Sequence, residues 1–121
     1  MSKGAFSQQT KVRVFMRDVE SCARCGRGLL FELAQFHHRA ARGMGGTSLQ
    51  AVSYPSNAVA LCPACHAWIE SHRSIAELQG FLVRKPREPH TVPIKHAHWG
   101  WVVLNIDGSI TMHDREEESS G

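Results

Sequence analysis

Two Cys-x-x-Cys pairs, Cys22 with Cys25 and Cys62 with Cys65, constrain this chain more than any other feature of its sequence. Two intervening residues let both thiolates of a pair reach one tetrahedral ion, and a second pair completes a closed four-sulfur site. Zinc is the expected occupant, and it would align the elements that carry the two pairs. A disulfide framework is the other use of four cysteines. It belongs to secreted chains, and residues 1–20 (MSKGAFSQQTKVRVFMRDVE) lack the apolar core of a signal peptide. No apolar run approaches a membrane span in length, so the expectation is a protein without a membrane partner, in the cytoplasm.

A chain of 121 residues is long enough for one domain and too short for two comfortable ones, so a structural ion would help a modest core to hold. The formal net charge of +3 conceals a division: Asp114, Glu116, Glu117 and Glu118 against Arg115 give the C-terminal tail a net of −3, which leaves +6 on the body before it. Basic residues from Lys11 to Lys95 are spread along that body, which suits a polyanion such as DNA as well as a plain solvated surface.

The expected organisation is a flexible N-terminus over residues 1–10, a single domain over 11–112 with its core at 20–73 and an accessory helix and hairpin at 74–112, and an acidic flexible tail over 113–121. Val12, Val14 and Met16 alternate with Arg13, Phe15 and Arg17 in the pattern of a short strand. Gly26, Arg27 and Gly28 permit a tight turn after the first cysteine pair, and LLFELAQF reads as a strand that delivers His37 and His38 at its end. Residues 42–57, rich in Gly and Ser, read as a loop. Pro63 suits the first turn of a helix on which His66 and Glu70 share a face, with His72 rotated off it. Ser74 with Glu77 has the spacing of a capping box for a second short helix, which Gly80 should end. The Asp107-Gly108 pair between apolar runs predicts a hairpin, and Trp99 and Trp101 would share one face of a strand.

A strand ending in paired histidines, a loop, an asparagine and a helix carrying another histidine form a combination more specific than its parts. The segments FHHR at 36–39, GMGG at 43–46 and SNAVALCPACH at 56–66 resemble the HNH endonuclease family. The resemblance covers roughly residues 20–73. It implies an α+β fold: a small zinc-stabilised ββα-metal (HNH, His-Me finger) core, here with short flanking strands and a C-terminal β-hairpin. It also implies that Cys22, Cys25, Cys62 and Cys65 hold a structural Zn2+ beside that core. A second, catalytic divalent metal (Mg2+, Mn2+ or another transition metal) would be anchored by His37 and His66. Asn57 would fix the geometry around the general base, and the activity implied is hydrolysis of DNA phosphodiester bonds to 5' phosphate and 3' hydroxyl ends.

The residue types suit those roles. A neutral imidazole has the unperturbed pKa to take a proton from water near neutrality, which makes His38 the candidate general base. Negative charge building on the phosphate and leaving oxygen can be neutralised by an anchored ion with open positions. Arg39 could meet a phosphate oxygen with its planar fork. Glu70 and His72 are candidate auxiliary groups, and solvated face residues are their plainer reading. His66, next to Cys65, could instead join the zinc and leave one cysteine free. The layout is also similar to that of small phage-encoded HNH proteins, which implies a bacterial host or phage-infected cell and phage terminase or packaging proteins as partners. The alternative function is a zinc-stabilised nucleic-acid-binding module that does not cut, or a terminase-associated subunit active only with partners.

Overall fold

The computed structural model describes residues 5–41 and 53–113. The Gly43-Met44-Gly45-Gly46 loop and the acidic stretch 114–121 lie outside the described residues.

The chain begins with a helix where alternation predicted a strand. Helix α1 spans Gln8–Arg17, and Ser7, extended at φ −70° and ψ 162°, caps it by accepting the Thr10 amide at 3.1 Å. The alternating apolar residues do not share a buried face: Val14 is fully buried, whereas Val12 and Met16 are 47% and 59% exposed. Burial instead takes Val14, Phe15 and Arg17, and the cap at Ser7 is the local signal that outweighs a period-two pattern. Phe6 is buried against Val14 and Ala58, and helix α1 starts at Gln8, inside the segment 1–10 expected to be flexible.

The LLFELAQF segment divides. Phe31–Leu33 form a single 3-10 turn, which sets the Phe31 ring edge-on to Phe15 at 5.3 Å, and only Gln35–His38 form strand β1. Strand β2, Ala58–Leu61, pairs with β1 antiparallel, with His37 opposite Val59 and His38 opposite Ala58. All of β2 is buried, as its AVAL sequence demands. Helix α2, Pro63–Ser71, follows after one residue, Cys62, with Pro63 in its first turn, where a missing amide proton costs nothing.

Helix α3, Arg73–Leu78, starts one residue before the anticipated capping box; His72 is its N-cap and no side chain caps it. Gly80 ends it at φ +87°, and a Cβ there would overlap the Pro93 carbonyl, so both the turn and the close backbone approach require glycine. Beyond it, strands β3 (Ile94–His96), β4 (Gly100–Leu104) and β5 (Ile110–Met112) form a three-stranded antiparallel sheet in the order β3-β4-β5. The Asp107-Gly108 turn joins the last two strands, so the anticipated hairpin is present with one more strand beside it. Trp99 precedes β4, and its indole N–H donates to the Arg17 carbonyl at 2.9 Å instead of sharing a strand face with Trp101.

One apolar core joins these layers. It contains Val59 and Leu61 of β2, Ile69 of α2, Ala76 of α3, Phe81, Ile94, Val102 and Leu104, together with Cys22, Cys62 and Cys65. A buried ionic cluster around Asp18 reinforces it. Asp18, with no exposed surface, accepts from Arg17, from His96 Nε2 at 2.9 Å and from the Ala60 amide at 2.9 Å, tying the end of α1 to β2 and β3. Burial alone would raise its pKa, but the Arg17 guanidinium and the His96 N–H hold the carboxyl below the usual range. Among the described residues no helix is long and apolar enough to cross a membrane.

Candidate functional site

The first cysteine pair sits on a tight hairpin. The Cys22 amide donates to the Arg27 carbonyl at 2.7 Å and the Gly26 amide to the Cys22 carbonyl at 2.9 Å, with Gly26 at φ +82°. The hairpin is docked on both sides: the Ala23 amide bonds the Ala60 carbonyl of β2 at 2.8 Å, and the Ala97 amide bonds the Ala23 carbonyl at 2.7 Å. The second pair opens α2. Cys62 is its N-cap, with a thiol that accepts the Cys65 amide at 3.4 Å.

The four cysteines are unlinked by disulfides, and their sulfurs all lie within 4.8 Å of one another. Sulfurs bound tetrahedrally to zinc at about 2.3 Å are roughly 3.8 Å apart; Cys25 Sγ and Cys62 Sγ are separated by 3.9 Å. The donor set and spacing therefore fit a zinc ion. Burial pushes Cys65 up to about 12, while Cys62, in spite of its own desolvation, is drawn down to about 7 by the Cys65 amide and the neighbouring thiols. Four thiolates this close need a cation to coexist. Arg24 adds charge from outside, with Nη1 donating to Cys65 Sγ at 3.4 Å and its guanidinium 3.5 Å from the Trp68 ring centroid.

The histidines form a separate centre. A cleft of about 550 Å³ is lined by His37, His38, His66, Glu70, Arg73 and Arg84 among others. His37 is 5% exposed, and its Nε2 lies 2.8 Å from the Phe81 carbonyl. A carbonyl oxygen only accepts, so Nε2 carries the proton and Nδ1 keeps its lone pair. His66 Nδ1 lies 2.5 Å from Gln35 Oε1, which by the same logic leaves Nε2 of His66 as the free lone pair. A ring nitrogen held this way by an oxygen acceptor fixes the tautomer that a metal ligand needs. The two rings are 5.3 Å apart between centroids and inclined by 67°. Imidazoles sharing one ion through nitrogens about 2.1 Å from it have centroids roughly 5 Å apart, a spacing close to that of this pair. Burial also pushes His37 down to about 4, keeping the ring neutral and able to ligate.

His38, next along β1, also lines the cleft, and its ring stacks on Phe6 at 3.9 Å between centroids and 11° between planes. Asn57 is fully buried. Its side chain brackets the backbone of Ala40, accepting the amide at 2.7 Å and donating to the carbonyl at 3.2 Å, and its own carbonyl accepts the Arg39 amide at 2.9 Å. This ties together the end of β1 and the start of β2, where the histidines are displayed.

Two sequence expectations are corrected. Arg39 is no phosphate contact: it is 1% exposed and donates to the carbonyls of Gly80, Ser56, Pro89 and Val92 at 2.7 to 3.0 Å. Burial pulls its guanidinium down to about 9, still charged at neutral pH, with four carbonyls in place of water. His72 does not line the cleft; it stacks on Trp68 at 4.6 Å, with Nδ1 near Ser71 Oγ and the Trp68 carbonyl. Glu70 does line it, on the same helical face as His66, and pairs with Arg73 at 3.0 Å.

Gln35 and Phe6 were not foreseen. Gln35 lies two residues before His37 and so on the same strand face, a period-two relation that could have identified it. Phe6 reaches His38 only through the packing of α1 and carries no sequence signal. Comparison with protein-family models, curated proteins and solved structures finds no match for this chain.

Proposed function

We propose that this protein is a metal-dependent DNA endonuclease of the HNH class, with a ββα-metal core formed by β1, β2 and α2. The observation that carries the reading is the His37–His66 pair: two imidazoles at a spacing suited to one ion, each with one ring nitrogen engaged by an oxygen acceptor, on a strand and the helix that follows the next strand.

His37 Nδ1 and His66 Nε2 would hold the catalytic ion, and Gln35 and the Phe81 carbonyl orient them. A divalent cation bound there supplies charge neutralisation for the phosphate and the leaving 3' oxygen. His38 takes the proton from the attacking water. Its ring is kept in one plane by Phe6, and its backbone is fixed by the Asn57–Ala40 bonds just beyond it. The attacking oxygen forms the new bond to phosphorus, the bond to the 3' oxygen breaks, and that oxygen leaves with a proton from solvent, giving 5' phosphate and 3' hydroxyl ends. The cysteine site aligns the hairpin 21–28 and α2 and takes no part in the chemistry.

The reading is tested by incubating supercoiled plasmid with the zinc-loaded protein and added Mg2+, Mn2+ or Ni2+, beside His66→Ala. Nicking that needs added metal and is lost in the variant is the expected result. DNA binding without cleavage under every metal would replace the enzyme by a binding module, and cleavage appearing only with packaging proteins would make it a subunit of their complex.

A further inference from the structure

With Arg39 committed to backbone carbonyls, the cleft needs another source of positive charge for a phosphate. Three arginines line it among the described residues: Arg39, Arg73 and Arg84. Arg73 is the first residue of α3, and Arg84 follows Val83, whose amide is fixed on the Arg39 carbonyl at 2.9 Å. Both side chains are largely exposed, at 62% and 79%. Each is paired with a carboxylate on the lining of the same cleft, Arg73 with Glu70 at 3.0 Å and Arg84 with Glu77 at 3.4 Å.

Resting on the nuclease reading, we propose that Arg73 and Arg84 are the phosphate contacts of this cleft, and that Glu70 and Glu77 are placeholders that a nucleic-acid backbone displaces. The chemistry favours the exchange. Exposed ion pairs of this kind hold little free energy, because water screens them and two long side chains are immobilised in each. A phosphodiester offers the same planar fork two anionic oxygens, and its binding to a cation releases condensed counterions, a gain that a protein carboxylate does not provide. The placeholders also explain how two arginines can flank a site for a divalent cation without repelling it in the free protein: the cleft carries its own compensating anions until substrate arrives.

The test reads binding, not cleavage. A short fluorescein-labelled DNA duplex of mixed sequence is titrated with the zinc-loaded protein by fluorescence anisotropy, without added catalytic metal, across a series of salt concentrations. Each phosphate neutralised contributes about −0.9 to the slope of log affinity against log salt. Arg73→Gln and Arg84→Gln should each make the slope shallower by about one, and the double variant by about two. Glu77→Gln, which frees Arg84 beforehand, should tighten binding several-fold at low salt. Wild-type slopes in both arginine variants, weaker binding in Glu77→Gln, or no binding by the wild type would each overturn the proposal. The nuclease reading fails separately: changed slopes with no plasmid cleavage under any metal would remove the enzyme and keep the contacts, and cleavage with unchanged slopes would do the reverse.

Discussion

His66 Nδ1 and Gln35 Oε1 are in hydrogen-bond contact at 2.5 Å, joining the first turns of α2 to the start of β1. The bond fixes which nitrogen of His66 keeps its lone pair, and His37, two residues along the same strand, is fixed in the complementary way by the Phe81 carbonyl. Two elements far apart in sequence thus present paired imidazoles to one cleft, beside four cysteines carried by the hairpin 21–28 and the start of α2.

Zinc removal should unfold the domain. Cys22, Cys62 and Cys65 belong to the apolar core, so four thiols without an ion would leave like charges or unpaired groups where Val59, Leu61 and Ile69 pack. Stripping the metal with a strong chelator should abolish near-ultraviolet circular dichroism and expose all four cysteines to alkylation. Retention of native dichroism with fully reactive thiols would contradict a folding role for the site.

His37 should make stability fall in acid. Burial pushes its pKa down to about 4 from the 6.5 of an unfolded imidazole. Because the folded state disfavours the proton, the contribution is complete above the unfolded value and is lost as pH falls from 6.5 towards 4, to a total of about 3 kcal/mol. Urea titrations of the wild type and His37→Gln at both ends of this window check it. Thiolate protonation weakens both proteins alike, so the wild type should lose about 3 kcal/mol more than the variant. Equal losses would show that burial of His37 has no such effect.

Arg39→Met should destabilise the protein by about 3 to 5 kcal/mol, since it removes the buried guanidinium to which four converging carbonyls are bonded and leaves those of Gly80, Ser56 and Val92 without it. Thermal and urea unfolding measure the loss. A stable Arg39→Met protein with weakened DNA affinity would restore the phosphate role read from the sequence.

Arg39 also marks how far the sequence could be read. Cysteine spacing foretold the four-sulfur cluster, because two residues between ligands is a local constraint. Pro63, the shared face of His66 and Glu70, Gly80 and the Asp107-Gly108 turn were likewise legible, since caps, turns and helical registers act over a few residues. What failed depended on distant partners. Arg39 sits beside two histidines, yet its burial is decided by carbonyls from Ser56 to Val92. Residues 12–16 alternate like a strand, but the Ser7 cap and the packing of Val14 against Phe6 and Ala58 make them helical. Phe6 and Asp18 belong to the same class: each is placed by contacts more than 30 residues away, which no period or motif records.

The central claim, that His38 activates water in a cleft where His37 and His66 hold the ion, is tested most directly by metal-dependent nicking of supercoiled plasmid by wild type and His38→Ala, both shown to be folded and zinc-loaded. Loss of a positioned general base should slow nicking by about 10² to 10⁴-fold with DNA affinity unchanged. Equal nicking rates for the two proteins would contradict the assignment.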